Sequence, residues 1–266
     1  MLSILDLDNY SLYYIFQFLS IYDLLKAEKV CGSFKEVCES IYSTKFRKVR
    51  IELRSLRTNH FRDILDRVGR SMIAFEFSGG YIMDENVKNT MIYGIINDCP
   101  RLKALSINYV QFTSLSFNHL QSCFSNLTSL DLSRCALSEA TLGIVLDGEK
   151  FKNIKTLKLA GNSEMNGSFF KDMKHVEILD ISYCYNLSFI QFLKFLENCI
   201  KLLELNITAS CSLVMEDENF QEILLHHQPL LEKLIMDYTG VLKDKEVIVK
   251  FKHLKYSSFE GRKFGT

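Results

Sequence analysis

Cysteines, histidines and clustered carboxylates are the residues through which this chain could do chemistry. Its eight cysteines stand at 31, 38, 99, 123, 135, 184, 199 and 211. None falls in a Cys-x-x-Cys pair and no His-x-x-x-His spacing occurs, so the ligand set of a zinc site is not expected. His226-His227 reads as the end of a helix, where cationic side chains suit the dipole. Glu216-Asp217-Glu218 precedes the helix-period stretch around Phe220, where acids suit the opposite end. Gly79-Gly80 reads as a corner, and no phosphate-cradling Gly-x-x-x-x-Gly-Lys-Ser/Thr loop exists. Neither a nucleophile elbow nor an ordered catalytic triad can be assembled from the spacing. The expectation is a chain with no active site of its own, no metal and no cofactor.

Four of the cysteines point instead to the elements that hold them. Cys99 and Cys199 stand just before an apolar anchor, and Cys135 and Cys184 stand at the corner after one. There a cysteine acts as a small hydrophobe. The anchors repeat as apolar-x-x-apolar-x-apolar. Clear copies are Leu102/Leu105/Ile107, Leu127/Leu130/Leu132, Ile154/Leu157/Leu159, Val176/Leu179/Ile181, Leu202/Leu205/Ile207 and Leu231/Leu234/Met236. Weaker copies are Met72/Phe75/Phe77 and Leu254/Ser257/Phe259. A period in the twenties with this skeleton is that of a leucine-rich repeat. The last two anchors of each copy alternate, which predicts a short strand with one face inward.

Between the strands the pattern turns helical. Phe189, Phe192, Leu193 and Leu196 lie at i, i+3, i+4 and i+7, with Ser188 as expected cap. Phe220, Ile223 and Leu224 repeat the pattern, as do Leu142, Val145 and Leu146 after Ser138. Pro100 and Pro229, the two prolines of the chain, each stand where a helix must stop before an anchor. A strand–helix unit can bury its inner face only against a neighbour, so the units are expected to stack. The expected fold is an α/β solenoid, a leucine-rich-repeat horseshoe with parallel strands on the concave face and helices on the convex face.

Composition permits this. The chain has 266 residues, 47% of them hydrophobic, and a formal net charge of zero, so no global field argues for nucleic acid or a membrane surface. No apolar run approaches the roughly 18 residues of a membrane span. The start, Met1-Leu2-Ser3-Ile4-Leu5-Asp6, has no basic region and does not read as a signal peptide. The cysteines are therefore expected as thiols in a reducing compartment, cytoplasmic or nuclear.

Residues 1–44 do not follow the repeat. Leu12, Ile15, Phe16 and Leu19 stand at i, i+3, i+4 and i+7 and predict a helix capped by Asp8 or Asn9. Asp23 is expected to cap a second, Leu24 to Lys29. A third carries Phe34, Val37, Cys38 and Ile41 on one face, with Ser33 and Glu36 spaced as a capping box. Tyr10, Tyr13, Tyr14 and Phe18 make the first helix apolar nearly all round, more than a cap with one buried side needs, and an exposed apolar patch marks a partner site. Residues 45–70 form a basic junction. Lys45, Arg47, Lys48, Arg50, Arg54 and Arg57 stand against one acid, Glu52, and Val49, Ile51 and Leu53 alternate with them as in an edge strand. The stretch reads either as a solvated, charge-protected edge or as a dock for an acidic partner. It lacks the interleaved aromatics of a base-stacking platform. Residues 71–266 are the solenoid, with about six clear and two weak repeats.

The N-terminal residues resemble the F-box. Leu7, Leu12, Ile15, Phe16 and Leu19, then Asp23-Leu24, then Val30-Cys31 and Phe34 stand in that motif's register across about 30 residues. Asp8 stands in place of its proline and Tyr10 in place of its glutamate. Asp98-Cys99-Pro100-Arg101-Leu102 and Asn198-Cys199-Ile200-Lys201-Leu202 are similar to the repeat starts of F-box/leucine-rich-repeat proteins. Together the two motifs cover nearly the whole chain. The resemblance implies a three-helix F-box module before the solenoid, docking on a Skp-family adaptor through Leu7, Leu12, Ile15, Phe16, Leu19, Leu24, Val30, Cys31 and Phe34. Through that adaptor it implies a cullin scaffold, and hence a substrate-recognition subunit of an SCF-type ubiquitin ligase, a monomer within a hetero-complex. The alternative is a leucine-rich-repeat scaffold that binds protein outside any ligase.

The target would lie on the concave face. Its expected contact residues are the middle strand positions Ser106, Asp131, Lys158, Asp180, Asn206 and Ile235, with Glu76 and Ser258 beyond them. Ser129, Thr156, Ile178, Glu204, Lys233 and Asp237 flank these. The face reads as mildly acidic apart from Lys158 and Lys233, which points to a protein ligand of some basic character.

Overall fold

The computed structural model describes residues 3–52, 58–80, 83–143, 151–169, 173–210, 220–237, 252–259 and 262–265. Leu53, Arg54, Arg57, Val145, Leu146, Cys211 and Glu216–Glu218 lie outside them. By its contacts the chain divides into two compact units, Met1–Phe77 with Asp84–Ala104 and Ser78–Met83 with Leu105–Thr266.

The first unit begins with three helices, α1 (Asn9–Phe16), α2 (Ile21–Ala27) and α3 (Gly32–Lys45). Asp8 caps α1, its Oδ1 accepting the Ser11 N–H at 2.6 Å. That bond holds the Asp8 carboxyl below its ordinary pKa, because it favours the charged form. At the other end, the Lys45 ammonium donates to the carbonyls of Gln17 (2.6 Å) and Leu19 (2.8 Å). A cation there satisfies orphan carbonyls and opposes the dipole.

Two cap expectations give way. Ser20, not Asp23, caps α2; its Oγ accepts the Asp23 N–H at 3.2 Å and donates to the Asp23 carboxylate at 2.7 Å. Cys31 is the N-cap of α3, with no side-chain cap bond. Ser33 and Glu36 instead bond Asn9 across the α1–α3 contact. Inter-helix bonding has taken the groups that a local box would have used.

Leu12, Phe16, Leu24, Phe34, Val37 and Ile41 close the core of these helices. Phe16 and Phe34 meet edge to face at 4.7 Å. Beyond lie β1 (Lys48–Glu52), α4 (Thr58–Val68), β2 (Ala74–Ser78) and α5 (Glu85–Asp98). Val49 and Ile51 are buried and the charged residues of β1 are exposed, as the alternation predicts. Arg50 lies 3.4 Å from Glu76 and 3.6 Å from Glu52, both exposed pairs of small energetic weight. Glu28 is nearly buried; it receives the Tyr42 hydroxyl at 3.1 Å and two Arg67 N–H groups at 3.1 Å each, tying α2, α3 and α4. Burial, then the Glu28 charge, pushes the Tyr42 phenol up.

α4 lies within residues 45–70, the stretch expected to be a basic junction with an edge strand. Its signal was present: Phe61, Ile64, Leu65 and Val68 stand at i, i+3, i+4 and i+7, and all are buried. The turn after α4 packs on the end of α5 through Gly69, where an added Cβ would stand 2.5 Å from the Asp98 carbonyl oxygen. Backbone cannot swing aside as a side-chain tip can. Gly69→Ala is therefore expected to cost about 1–3 kcal/mol by overpacking, read as a lowered urea midpoint; an unchanged midpoint would show that the turn has room to shift.

The second unit is built on β3 (Ala104–Asn108), β4 (Ser129–Asp131), β5 (Thr156–Lys158), β6 (Ile178–Asp180), β7 (Glu204–Asn206), β8 (Lys233–Ile235), β9 (Tyr256–Phe259) and β10 (Arg262–Gly265). They lie side by side in chain order. From β4 to β9 neighbours are parallel and in register, so Leu130, Leu157, Leu179, Leu205, Leu234 and Ser257 form one buried row. Burying each leucine contributes roughly 1.5–3 kcal/mol. β10 turns back antiparallel on β9, a strand the repeat pattern did not announce. Helices α6 (Ser114–Leu120), α7 (Glu139–Gly143), α8 (Phe189–Asn198) and α9 (Phe220–His227) return the chain between strands. Ser188 stands at the N-cap of α8 as expected, but its side chain makes no cap bond.

Strands β3 to β7 each end in a corner built the same way. Tyr109, Arg134, Gly161, Tyr183 and Ala209 all have φ between 55° and 71°, a left-handed turn that reverses the chain behind the sheet. The residue after each points inward. Cys135, Asn162, Cys184 and Ser210 are fully buried and donate to carbonyls of the preceding turn, at Ile107, Leu132, Leu159 and Ile181 respectively. Asn162 also donates to Leu159 and accepts the N–H groups of Cys135 and Leu137. Desolvation pushes the thiols of Cys135, Cys184 and Cys199 up to about 12. They are protonated structural groups rather than nucleophiles.

Candidate protein interfaces

The residues expected to meet an adaptor fall into two groups. Leu12, Phe16, Leu24 and Phe34 are at most 6% exposed; they shape the module from within and present nothing to a partner. Leu19 and Cys31 are half-buried. Leu7, Ile15 and Val30 are exposed. With them stand apolar side chains the motif register does not include: Tyr10 (70% exposed), Tyr14, Phe18 (83%), Ile4 and Leu5.

The helical period explains the division. Leu12 and Phe16 share the α1 face turned to α3, whereas Tyr10, Tyr14 and Ile15 share the opposite arc. Leu7 precedes that arc and Phe18 follows it. Tyr10 and Tyr14 pack edge to face at 4.7 Å and join hydroxyls at 3.0 Å. An apolar flank of this kind on a water-facing helix suits seating in a partner's groove.

In the second unit the expected contact residues fall in register. Asp131, Lys158, Asp180, Asn206, Ile235 and Ser258 face one another across successive strands. Ser106 lies on β3, its hydroxyl 3.3 Å from Asp131 Oδ2. A concavity of about 210 Å³ opens over β5 to β8, lined by Thr156, Lys158, Ile178, Asp180, Glu204, Asn206, Lys233 and Ile235, with Leu179 and Leu205 beneath.

The aspartates, expected to face a ligand, are engaged locally. Asp131 Oδ1 accepts the Ser133 N–H (3.0 Å) and hydroxyl (2.6 Å). Asp180 Oδ1 holds Ser182 likewise, at 3.0 and 2.7 Å, and its Oδ2 accepts from Asn206 at 3.2 Å. Asn206 holds Thr208 in the same way. Asp/Asn-x-Ser/Thr at a strand end is an Asx turn, and its sequence signal stands in Asp131-Leu132-Ser133, Asp180-Ile181-Ser182 and Asn206-Ile207-Thr208. Asp237 accepts the Ser258 hydroxyl. Lys233 pairs with Glu204 at 3.2 Å and Lys155 with Glu177 at 2.7 Å. Among the described residues no group of three or more metal-ligating side chains converges, and no helix is long and apolar enough to cross a membrane.

Buried leucine rows, parallel strands in register and a repeated left-handed corner define a leucine-rich-repeat solenoid. No protein-family model matches the chain, and no curated protein sequence does so. Among solved structures it is similar to the leucine-rich repeat-containing protein LegL7 from Legionella pneumophila, with a TM-score of 0.58 at 16% identity, covering 92% of this chain and 84% of that one. A likeness to the Rad7 and Elc1 complex of yeast has a TM-score of 0.48 at 15% identity, covering 94% and 87%. The LegL7 likeness establishes the shared fold.

Proposed function

We propose that this chain is the non-catalytic substrate-recognition subunit of an SCF-type ubiquitin ligase, seating its N-terminal helices on a Skp-family adaptor and holding a target protein on its repeats. The observation that carries the reading is the exposed apolar flank of α1. Tyr10, Tyr14, Ile15 and Phe18 stay in water although the same three helices close a complete core without them. The flank lies within the stretch whose register resembles the F-box. Asp8, in place of that motif's proline, still starts the first helix, by accepting a backbone N–H rather than by fixing φ. The chain's contribution to ubiquitin transfer would be positioning, which raises the effective concentration of the target.

Co-expression with a Skp-family adaptor, followed by size-exclusion chromatography, tests this. The expected result is a one-to-one complex that survives dilution to micromolar concentration, consistent with an apolar helix seated in a groove. A chain that elutes alone and monodisperse beside free adaptor would sink the reading and leave a free-standing repeat scaffold.

A further inference from the structure

The segments that lead into β1, β2 and β3 lie side by side at one rim of the first unit. The Arg47 carbonyl accepts the N–H groups of Ile73 (2.7 Å) and Ala74 (3.1 Å), and the Ile73 carbonyl accepts those of Lys103 (2.9 Å) and Ala104 (3.1 Å). Ser71 donates its hydroxyl to the Tyr42 carbonyl on α3, and Gly69 lies against the Asp98 carbonyl, so Arg70 is held between those two neighbours. The charges of this rim are of one sign. Lys45, Arg47, Lys48, Arg70, Arg101 and Lys103 are all exposed, with Asp98 the single carboxylate of residues 45–48, 69–73 and 98–103. Lys45 is held by the carbonyls of Gln17 and Leu19. Arg47, Lys48, Arg70 and Arg101 form no ion pair among the described residues. Acids on the adjoining elements come with cations of their own: Glu52 and Glu76 flank Arg50, Glu39 stands by Lys35, and Asp66 by Arg62. Neighbouring strands are about 4.8 Å apart, inside a Debye length of about 8 Å, so the rim charges repel one another and weaken the fold. Later repeats balance the same position just before the strand. There Lys155 meets Glu177 at 2.7 Å and Lys255 meets Glu232 at 2.9 Å.

We propose that this rim receives an acidic segment of a partner protein, whose carboxylates pair with Arg47, Lys48, Arg70 and Arg101. The inference stands apart from the adaptor reading. It decides between the two meanings of the basic junction, a charge-protected edge and a dock. Protecting an edge calls for charge on the edge strand alone. Here Arg70, Arg101 and Lys103, remote in sequence, are brought to the same rim as Arg47 and Lys48. From Arg47 to Lys103 the rim spans two strand spacings, about 10 Å, so an extended run of about four acidic residues covers it. Arginine can take a carboxylate through two parallel bonds. A protein segment suits the rim better than nucleic acid does. The net charge of the whole chain is zero, so the attraction is local. Phe46, the one aromatic of the three segments, already carries the Lys45 ammonium 5.1 Å from its ring centre, and a base needs a stacking platform.

The test uses the full chain and fluorescein-labelled peptides that carry a run of glutamates or of glutamines on a glycine–serine background. A labelled oligothymidylate of matched charge is the third probe, and anisotropy reports binding. The glutamate peptide is expected to bind at least about tenfold more tightly than its glutamine counterpart, and to weaken with added salt, as charge complementarity requires. Lys48→Glu combined with Arg101→Glu should reduce that affinity about tenfold or more, and the milder pair Lys48→Gln with Arg101→Gln should fall between. Lys174→Glu with Lys194→Glu makes the same change in net charge on exposed residues of the second unit, and should leave the affinity as it is. Circular dichroism of each variant checks that the fold is retained. No binding of the glutamate peptide, an equal loss in the Lys174 and Lys194 variant, or tighter binding of the oligothymidylate would overturn the proposal. Failure of the adaptor complex in the chromatography leaves these readings untouched, so the two proposals fail separately.

Discussion

Asn162→Ala is expected to destabilise the second unit by about 4 kcal/mol, because the substitution strands buried backbone groups at roughly 1–3 kcal/mol each before relaxation. Asn162 is 0% exposed. It donates to the carbonyls of Leu132 (2.9 Å) and Leu159 (2.7 Å) and accepts the N–H groups of Cys135 and Leu137 at 3.0 Å. Alanine removes all four bonds. Against a total stability on the order of 5–15 kcal/mol, the loss should show as a large drop in urea midpoint. Asn162→Cys should recover part of it, since a thiol occupies the same rung at 135 and 184 and reaches the carbonyl behind it. A loss below about 1 kcal/mol would mean that the rung is dispensable.

Phe16→Ala and Phe18→Ala should separate core from interface. Phe16 is 3% exposed and packs on Phe34; its truncation is expected to cost about 3–5 kcal/mol of stability and to melt the N-terminal helices. Phe18, at 83% exposed, should lose no stability. If the exposed flank seats on an adaptor, Phe18→Ala should weaken that complex by about 2 kcal/mol, the scale of an interface hot spot. Thermal melts and adaptor titrations of both variants read the two effects. Equal behaviour of the two variants in the melts would contradict the division of α1 into a buried and an open face.

Motif register named Leu12, Phe16, Leu24 and Phe34 without telling which way they turn. A single eight-residue helix that is apolar nearly all round offers no contrast between faces, and only the packing of α1 on α3 decides. The repeats were more legible, because period-two anchors beside a period in the twenties leave one way to stack; the rows at Leu130 to Leu234 and at Asp131 to Ile235 follow the spacing directly. The corners were not. Tyr109, Arg134, Tyr183 and Ala209 take a left-handed turn that glycine, present here only at 161, would have announced. The cost at each, of order 1–3 kcal/mol, is offset by the inward rung that follows. Counting carboxylates also leaves out what each oxygen already holds. Asp131 and Asp180 are turn residues first.

Those rungs have a consequence for how such a chain can change over time. Cys135, Asn162, Cys184 and Ser210 each reach back to the turn immediately before, and to nothing farther away. A duplication or excision of one whole unit re-creates every junction, because any rung can serve any predecessor. Loss of a single residue inside a strand instead turns its leucine outward and strands the rung after it. Length can therefore drift in steps of one repeat while phase within a repeat is held, and the reach of the concave face becomes a heritable quantity adjustable without redesign of the spine.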